Sequence, residues 1–191
     1  MLTGKTVRDL LDAFASSDPT PGGGSAAALA SSVGASLLMM VAGLPKTRSN
    51  AAEDRTALTA ARASLTATRD QLTDAIDADT AAYDRVVAAY KLAKSTDDEK
   101  AARTAAIQAA LRDATDVPLG VMRLSAHALD TAKVVEAHGH GAAASDVGVA
   151  IALLRAGLEG ARLNVAVNLG GIRDAAYTAA VNDEVGRLTG R

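Results

Sequence analysis

The segment DPTPGGGSAAALA, residues 18–30, is the most informative part of this sequence for its fold. Two prolines and three consecutive glycines break the backbone, and an apolar helix begins directly after them. Residues 22–44 carry no charged side chain and are mostly Gly, Ala and Ser. Small residues permit close helix contacts but favour transfer into a membrane only weakly. We therefore predict a buried central helix rather than a membrane span.

The rest of the composition also indicates helices. The 191 residues include 45 Ala, four aromatic residues and no Cys. Ala is the strongest helix former, whereas strands favour β-branched and aromatic residues. We therefore predict an all-α protein, a single-domain helical bundle with long kinked helices over residues 1–191.

Charge and the first residues narrow the class of partner and the compartment. A formal net charge of −2 gives no broad basic surface, which argues against a nucleic-acid partner. Without Cys, disulfides and Cys/His metal clusters are excluded, and we expect no metal site. The chain begins MLTGKTVRDL, without the charged start and apolar run of a signal peptide. We expect a cytoplasmic protein without a membrane partner.

Apolar spacing and chain-breaking residues predict six helices. The predicted ranges are about 7–15, 24–44, 51–90, 96–138, 145–169 and 174–188. Pro118 falls inside the fourth of them. Proline has no N–H to donate and clashes with the preceding turn, so we expect a kink or a restart near residues 115–117.

One carboxylate stands out on the third helix. A seam with a period of seven is formed by Leu58, Leu65, Leu72, Asp79 and Val86. A carboxylate on an apolar stripe is costly unless it is paired, hydrogen-bonded or protonated. Tyr83, one turn later on the same face, is a possible partner. Asp79 is therefore either a satisfied structural residue or a functional one.

The fifth helix has a face poor in side chains. It is formed by Gly157, Gly160, Asn164, Asn168 and Gly171, at spacings of three and four. Tight helix packing explains the glycines, whereas two amides need partners if they are buried. This face suits another helix or a flat ligand.

Four other features have ordinary explanations beside functional ones. Asp146 suits the start of a helix, and Lys46 and Arg48 suit an exposed loop. The glycine-flanked His138 and His140 are interpreted as solvated, since no acidic residue is spaced to join them. The triple glycine either exposes N–H groups to an anion or a polar ring edge, or lets two backbones cross.

The chain resembles a known family along nearly its whole length. The segments ASSDPTPGGGSAAALASSVGASLLMMVAG, DADTAAYDRVVAAYKLAKSTDDEKAAR, ATDVPL, SDVGVA and GARLNVAVN appear in the order found in the formiminotransferase-cyclodeaminase C-terminal domain family. That family also contains methenyltetrahydrofolate cyclohydrolases. The resemblance implies a helical homodimer that binds a tetrahydrofolate derivative near the subunit interface, with no cofactor beyond this one-carbon carrier.

The resemblance also gives roles to the residues singled out above. It implies Asp79 first and Asp146 second as catalytic carboxylates acting on a cationic one-carbon unit. Asn164, Asn168 and the backbone of Gly22, Gly23, Gly24 and Ser25 are implied to hold the pterin, and Lys46 and Arg48 to attract the glutamate tail. Tyr83 is implied as a further substrate-binding residue.

Three functions follow from the resemblance. The first is hydrolysis of 5,10-methenyltetrahydrofolate to 10-formyltetrahydrofolate, which the absence of an attached formiminotransferase domain favours. The second is cyclisation of 5-formiminotetrahydrofolate with loss of ammonia. The third is a folate-binding or helical assembly protein without catalysis.

Overall fold

The computed structural model describes residues 1–190, and its regular structure there is helical. The α-helices are α1 (Val7–Ala15), α2 (Gly23–Ala42), α3 (Ala52–Tyr90), α4 (Asp97–His138), α5 (Ala144–Leu169) and α6 (Ala175–Thr189). Short 3-10 helices cover Leu2–Gly4 and Gly141–Ala143. The all-α prediction is confirmed, and the helix ends lie within two residues of those expected.

Helix α2 occupies the middle of the bundle and packs on α3, α4 and α5. Its buried hydroxyls are paired across helices, as in the Oγ–Oγ contact of 2.7 Å between Ser31 and Ser125. Ser32 pairs in the same way with Thr73 at 2.9 Å. These bonds satisfy the polar groups that a helix of small residues brings into the core.

The contact between α2 and α5 depends on glycine, because the two antiparallel backbones approach closely. A Cβ added to Gly157 would lie 1.9 Å from the Ser31 Oγ and 2.7 Å from the Ala27 carbonyl oxygen. At Gly34, an added Cβ would lie 2.8 Å from the carbonyl oxygen of Ala150. Small residues here allow the close helix contact that the sequence predicts.

We expect Gly157→Ala to lower the free energy of unfolding by about 2–3 kcal/mol, because the new methyl group has no space against α2. Urea denaturation measures this loss. Gly148→Ala on the same helix is the matched control, since nothing lies within 4 Å of its added Cβ. The control gains up to about 1 kcal/mol of helix propensity. Equal stability of the two variants would contradict the close contact.

Two helical stretches are long and apolar enough to cross a membrane by length and composition, Gly23–Ala42 and Gly141–Leu169. The apolar window of the first is mostly buried inside the bundle, whereas 28% of the second is buried. The core helix of a water-soluble bundle passes the same test, so these stretches are weak evidence for a membrane span. The burial of α2 agrees with the predicted central helix.

The seam of α3 faces the core for most of its length. Leu58, Leu65 and Leu72 are completely buried, while Asp79 and Val86 are half-buried. The seam therefore opens towards the C-terminal part of α3. Asp79 lies where the apolar core gives way to a cleft.

Helix α4 begins at a capping box and ends at His138. The Thr96 Oγ1 accepts the Glu99 N–H at 3.2 Å, and the Glu99 carboxylate accepts the N–H of Thr96 in return. The helix runs through Pro118 as one continuous element. Of the kink or restart expected near residues 115–117, the restart is therefore wrong, while the kink stays a prediction. A contact from α5, described below, explains why the helix continues.

Candidate active site

Asp79 from α3 caps the N-terminus of α2. The N-cap residue of α2 is Gly22, which has no side chain to accept a hydrogen bond. The Asp79 Oδ2 instead accepts the backbone N–H of Ser25 at 2.8 Å, and it lies 3.0 Å from the Ser25 Oγ. The positive end of the helix dipole and two donors thus hold this carboxylate. The predicted partner Tyr83 is not one of these donors, because both belong to Ser25.

The three glycines differ in how closely other atoms approach them. A Cβ on Gly24 would lie 2.0 Å from the Asp79 Oδ1, so a side chain there would displace the carboxylate. A Cβ on Gly23 would lie 3.3 Å from the Asn164 Nδ2, which is a tight contact. At Gly22 the nearest atom is the Pro19 carbonyl oxygen, 3.8 Å away. The close approach that the sequence suggested is therefore that of Asp79 to Gly24.

The environment of Asp79 changes its acidity. Burial raises the pKa of this carboxyl above its ordinary value, because a charge in an apolar crevice loses solvation. The two hydrogen bonds from Ser25 favour the ionised form and oppose that rise. A carboxylate with a raised pKa is a better proton acceptor and donor near neutral pH than an exposed one.

Asp79 and the triple glycine open into one cleft of about 320 Å³. This volume falls in the range of small-molecule sites. Its walls come from the 19–24 segment, α3, α4 and α5. They are lined by Pro19, Thr20, Gly22, Gly23, Gly24, Asp79, Tyr83, Val86, Leu111, Ala114, Asn164, Val167 and Asn168. The structure thus brings together Asp79, Tyr83, the glycines and both asparagines.

The two asparagines line this cleft, and each donates from its side-chain nitrogen to a backbone carbonyl. The Asn164 Nδ2 donates to the Gly160 carbonyl oxygen at 2.9 Å, and the Asn168 Nδ2 donates to that of Ala114 at 2.6 Å. Donation to carbonyl oxygens fixes which end of each amide is nitrogen. Among residues 1–190, the sole buried side-chain polar atom without a partner is the Thr178 Oγ1. The Oδ1 atoms of both amides are therefore accessible acceptors.

The remaining predicted residues lie at the other end of the bundle. Lys46 and Arg48 follow the C-terminus of α2, and the helix between them and the glycines is about 30 Å long. The Arg48 guanidinium donates to the Glu136 carbonyl oxygen at 2.6 Å, while Lys46 is exposed. Asp146 lies in the first turn of α5, about 27 Å along that helix from Asn164. Within one chain, these three residues do not join the cleft.

A buried polar cluster at that end was not predicted. Asp54 accepts from the Ser49 backbone N–H at 2.8 Å and the Thr47 hydroxyl at 3.0 Å, and its Oδ1 lies 2.8 Å from the His138 Nδ1. These hydrogen bonds, that of His138 foremost, hold the pKa of Asp54 far below its ordinary value. The interpretation of His138 as solvated without an acidic neighbour is wrong, because its partner lies 84 residues away in sequence.

Four apolar wall residues of the cleft were also missed: Val86, Leu111, Ala114 and Val167. Val167 is 78% exposed. Val167 lies three residues after Asn164 and therefore on the same face of α5, and this spacing is visible in the sequence. No cluster of three or more metal-ligating residues occurs within the described part of the chain.

Fold and site together define a class: a helical bundle in which a half-buried carboxylate caps a glycine-rich helix beside a small-molecule cleft. Comparison with known sequences identifies the family of the chain. The sequence profile of the formiminotransferase-cyclodeaminase family matches residues 6–187, so the chain belongs to that family.

The relatives of this chain include proteins named as two different enzymes. A methenyltetrahydrofolate cyclohydrolase of Methylorubrum extorquens is 43% identical over 93% of this chain and 85% of its own length. A formimidoyltransferase-cyclodeaminase of Sus scrofa is 32% identical over 96% of this chain, which spans only 34% of that longer protein. A crystal structure of formiminotetrahydrofolate cyclodeaminase from Thermotoga maritima matches the fold with a TM-score of 0.88. That match covers 100% of this chain and 91% of the other at 24% identity.

Proposed function

We propose that this protein is a methenyltetrahydrofolate cyclohydrolase that converts 5,10-methenyltetrahydrofolate to 10-formyltetrahydrofolate. The observation that carries this proposal is the Asp79 carboxylate, half-buried in the cleft and held by Ser25. Its negative charge complements the cationic carbon that bridges N5 and N10 in this substrate. The relative named as a cyclohydrolase, at 43% identity, supports the same assignment.

The proposed reaction needs one group that moves protons. Water attacks the bridging carbon, a C–O bond forms, and Asp79 takes a proton from that water. The tetrahedral carbon then loses its bond to N5 as Asp79 returns the proton to N5. The hydroxyl proton leaves to solvent as the formyl C=O forms, so one proton is released per turnover. The raised pKa of Asp79 suits a carboxyl that both accepts and donates a proton.

The polar groups of the cleft complement a pterin. The Oδ1 atoms of Asn164 and Asn168 are acceptors for its ring N–H and amino groups. The first N–H groups of α2, at Gly23 and Gly24, have no partner within their own helix, and they are donors for the pterin carbonyl oxygen. Tyr83 is 41% exposed on the wall and offers a ring face for the flat pterin.

Loss of the absorbance of methenyltetrahydrofolate tests the proposed function. We expect purified protein to accelerate this loss well above the rate in buffer. The same preparation with 5-formiminotetrahydrofolate, assayed for ammonia, distinguishes a cyclodeaminase. Tight binding of either compound without turnover would assign the protein to folate binding alone and would contradict the proposed hydrolysis.

We further propose that the chain forms a homodimer through the outer faces of α2 and α5. Exposed apolar residues cover these adjacent faces: Val33, Met40, Val149, Leu163 and Val167. Helix α2 carries no charged residue, and Val167 also lines the cleft. Burying this surface against a second copy removes apolar area from water next to the site.

A two-fold axis across α2 accounts for the distant predicted residues. It places the end of α2 near residues 45–48 of one subunit beside the 22–25 end of the other. Lys46 and Arg48 then reach the folate tail, and Asp146 approaches the site, from the partner subunit. This arrangement supplies the cations that the cleft of a single chain lacks among its lining residues.

Co-expression of two impaired variants tests the shared site. We expect Asp79→Asn and the double variant Lys46→Ala/Arg48→Ala each to be impaired at low substrate. Their mixture should regain about a quarter of wild-type activity, because half of randomly mixed dimers are heterodimers with one intact site. No recovery in a mixture shown to contain heterodimers would contradict the sharing of residues between subunits.

We also propose that the protein acts in the cytoplasm. The burial of α2 within the bundle supports this compartment over a membrane.

A further inference from the structure

Pro118 creates an unusual acceptor in the wall of the cleft. In an α-helix the N–H of each residue donates to the carbonyl four residues earlier. Pro118 has no N–H, so the carbonyl of Ala114 lacks its usual backbone donor, and the proline ring also crowds that carbonyl. Yet α4 continues through this position without a break. A donor from outside the helix replaces the missing one.

That donor is Asn168 on α5. Its Nδ2 lies 2.6 Å from the Ala114 carbonyl oxygen, a short hydrogen bond between residues 54 apart in sequence. Ala114 is 9% exposed, so its carbonyl has little access to water as an alternative donor. Ala114 and Asn168 both line the cleft that holds Asp79. The amide of Asn168 is thus tied to α4 at the carbonyl that Pro118 leaves unpaired.

We propose that Pro118 is a positioning residue for the ligand: it fixes the amide of Asn168 with the nitrogen on α4 and the oxygen towards the cleft. An amide free to rotate presents either its NH2 group or its oxygen, whereas the hydrogen bond to Ala114 keeps the nitrogen of this one on α4 and leaves its oxygen as the acceptor. The cleft therefore selects a ligand that has an N–H group at this place. Asn164 needs no such device, because its Nδ2 is engaged within its own helix. The role of Pro118 in positioning the ligand rests on the proposed function, whereas its link to Asn168 does not.

The link between the two residues is testable without substrate. We expect Asn168→Ala to lower the melting temperature by about 3 °C, the shift that one lost hydrogen bond produces in a chain of this size. In a Pro118→Ala background the backbone N–H of residue 118 donates to Ala114 instead. Asn168→Ala should then shift the melting temperature by less than about 1 °C. Equal shifts in the two backgrounds would overturn the link.

The positioning role has a kinetic readout of its own. We expect Asn168→Ala and Pro118→Ala each to raise the KM for methenyltetrahydrofolate by about five- to tenfold, with kcat changed less than about twofold. The double variant should be no worse than Asn168→Ala. Multiplied effects in the double variant, or an unchanged KM in either single one, would overturn the role.

One control separates other causes. Asn182→Ala, at an exposed position on α6, removes the same residue type as Asn168→Ala and should leave KM unchanged. If the wild type fails to turn over methenyltetrahydrofolate, the proposed function fails. The melting temperatures still decide whether Pro118 fixes Asn168.

Discussion

Replacing Asp79 with Asn is expected to lower kcat for methenyltetrahydrofolate by about a thousandfold without destabilising the fold. The amide has nearly the shape of the carboxyl, and its oxygen can still accept the Ser25 N–H. The amide carries no charge to stabilise the cationic carbon, and it transfers no proton. Together these two contributions account for a factor of about 10²–10⁴ in kcat. Stopped-flow or steady-state absorbance measures the loss.

The expected stability follows from the sign of the pKa shift. The pKa of Asp79 is raised by burial in the folded chain, so the protonated form favours folding. That stabilisation is fully present below the unfolded pKa and is lost as pH rises through the folded pKa. At neutral pH the uncharged Asn therefore removes the desolvation penalty of the carboxylate. The melting temperature of Asp79→Asn should equal or exceed that of the wild type. A fall would show a structural role for the charge.

Asp84→Asn is the matched control for this variant. Asp84 lies on the same helix but is exposed, and it does not line the cleft. We expect its rate and melting temperature to remain those of the wild type.

Because Asp79 must be ionised to accept a proton, we expect the kcat/KM of the wild type to fall towards acid pH. The midpoint of this fall should lie above the ordinary pKa of an aspartate. A pH-independent rate down to pH 4 would exclude Asp79 as the base.

Replacing Gly24 with Ala is expected to reduce kcat/KM by at least about a hundredfold, because even a small displacement of a catalytic group is costly. The added methyl carbon would lie 2.0 Å from the Asp79 Oδ1 and 2.5 Å from the Asp79 Cγ, which is too close for either atom to stay in place. The carboxylate must move out of the cleft or release the Ser25 N–H. The loss of this cap should also lower the free energy of unfolding by about 1 kcal/mol. Steady-state kinetics and urea denaturation measure the two effects.

Gly186→Ala on α6 is the control for the glycine variant. Nothing lies within 4 Å of its added Cβ, and it does not line the cleft. It should retain wild-type kinetics. Near-normal turnover by Gly24→Ala would contradict the requirement that Asp79 contact the start of α2.

The sequence predicted the helices well because their signals are local. Periodic apolar residues, the Thr96 cap and the glycine break each act within a few residues of the chain. Asp79 was found for the same reason, since a charge in a seam of leucines is visible in one helix. The continuity of α4 at Pro118 was not predictable, because the replacement donor comes from Asn168 on another helix.

The limits of the site prediction have the same physical origin. Periodicity assigns residues to a face of one helix but does not say which ends of the helices meet. Lys46 and Arg48 follow the same glycine-rich helix as the cleft residues, yet they lie at its opposite end. Asp54 and His138 form a pair that neither helix alone reveals. In the proposed dimer the two ends meet across subunits, and no local pattern of one chain encodes that assembly.

A crystal structure of the protein with a bound tetrahydrofolate derivative would show whether Asp79 acts on the one-carbon unit. The measured quantity is the distance from the Asp79 carboxylate to the position of the carbon between N5 and N10. We predict contact within about 4 Å, directly or through one water, with the pterin N–H groups on the oxygens of Asn164 and Asn168. A folate seated elsewhere, with Asp79 facing only Ser25 and solvent, would contradict it.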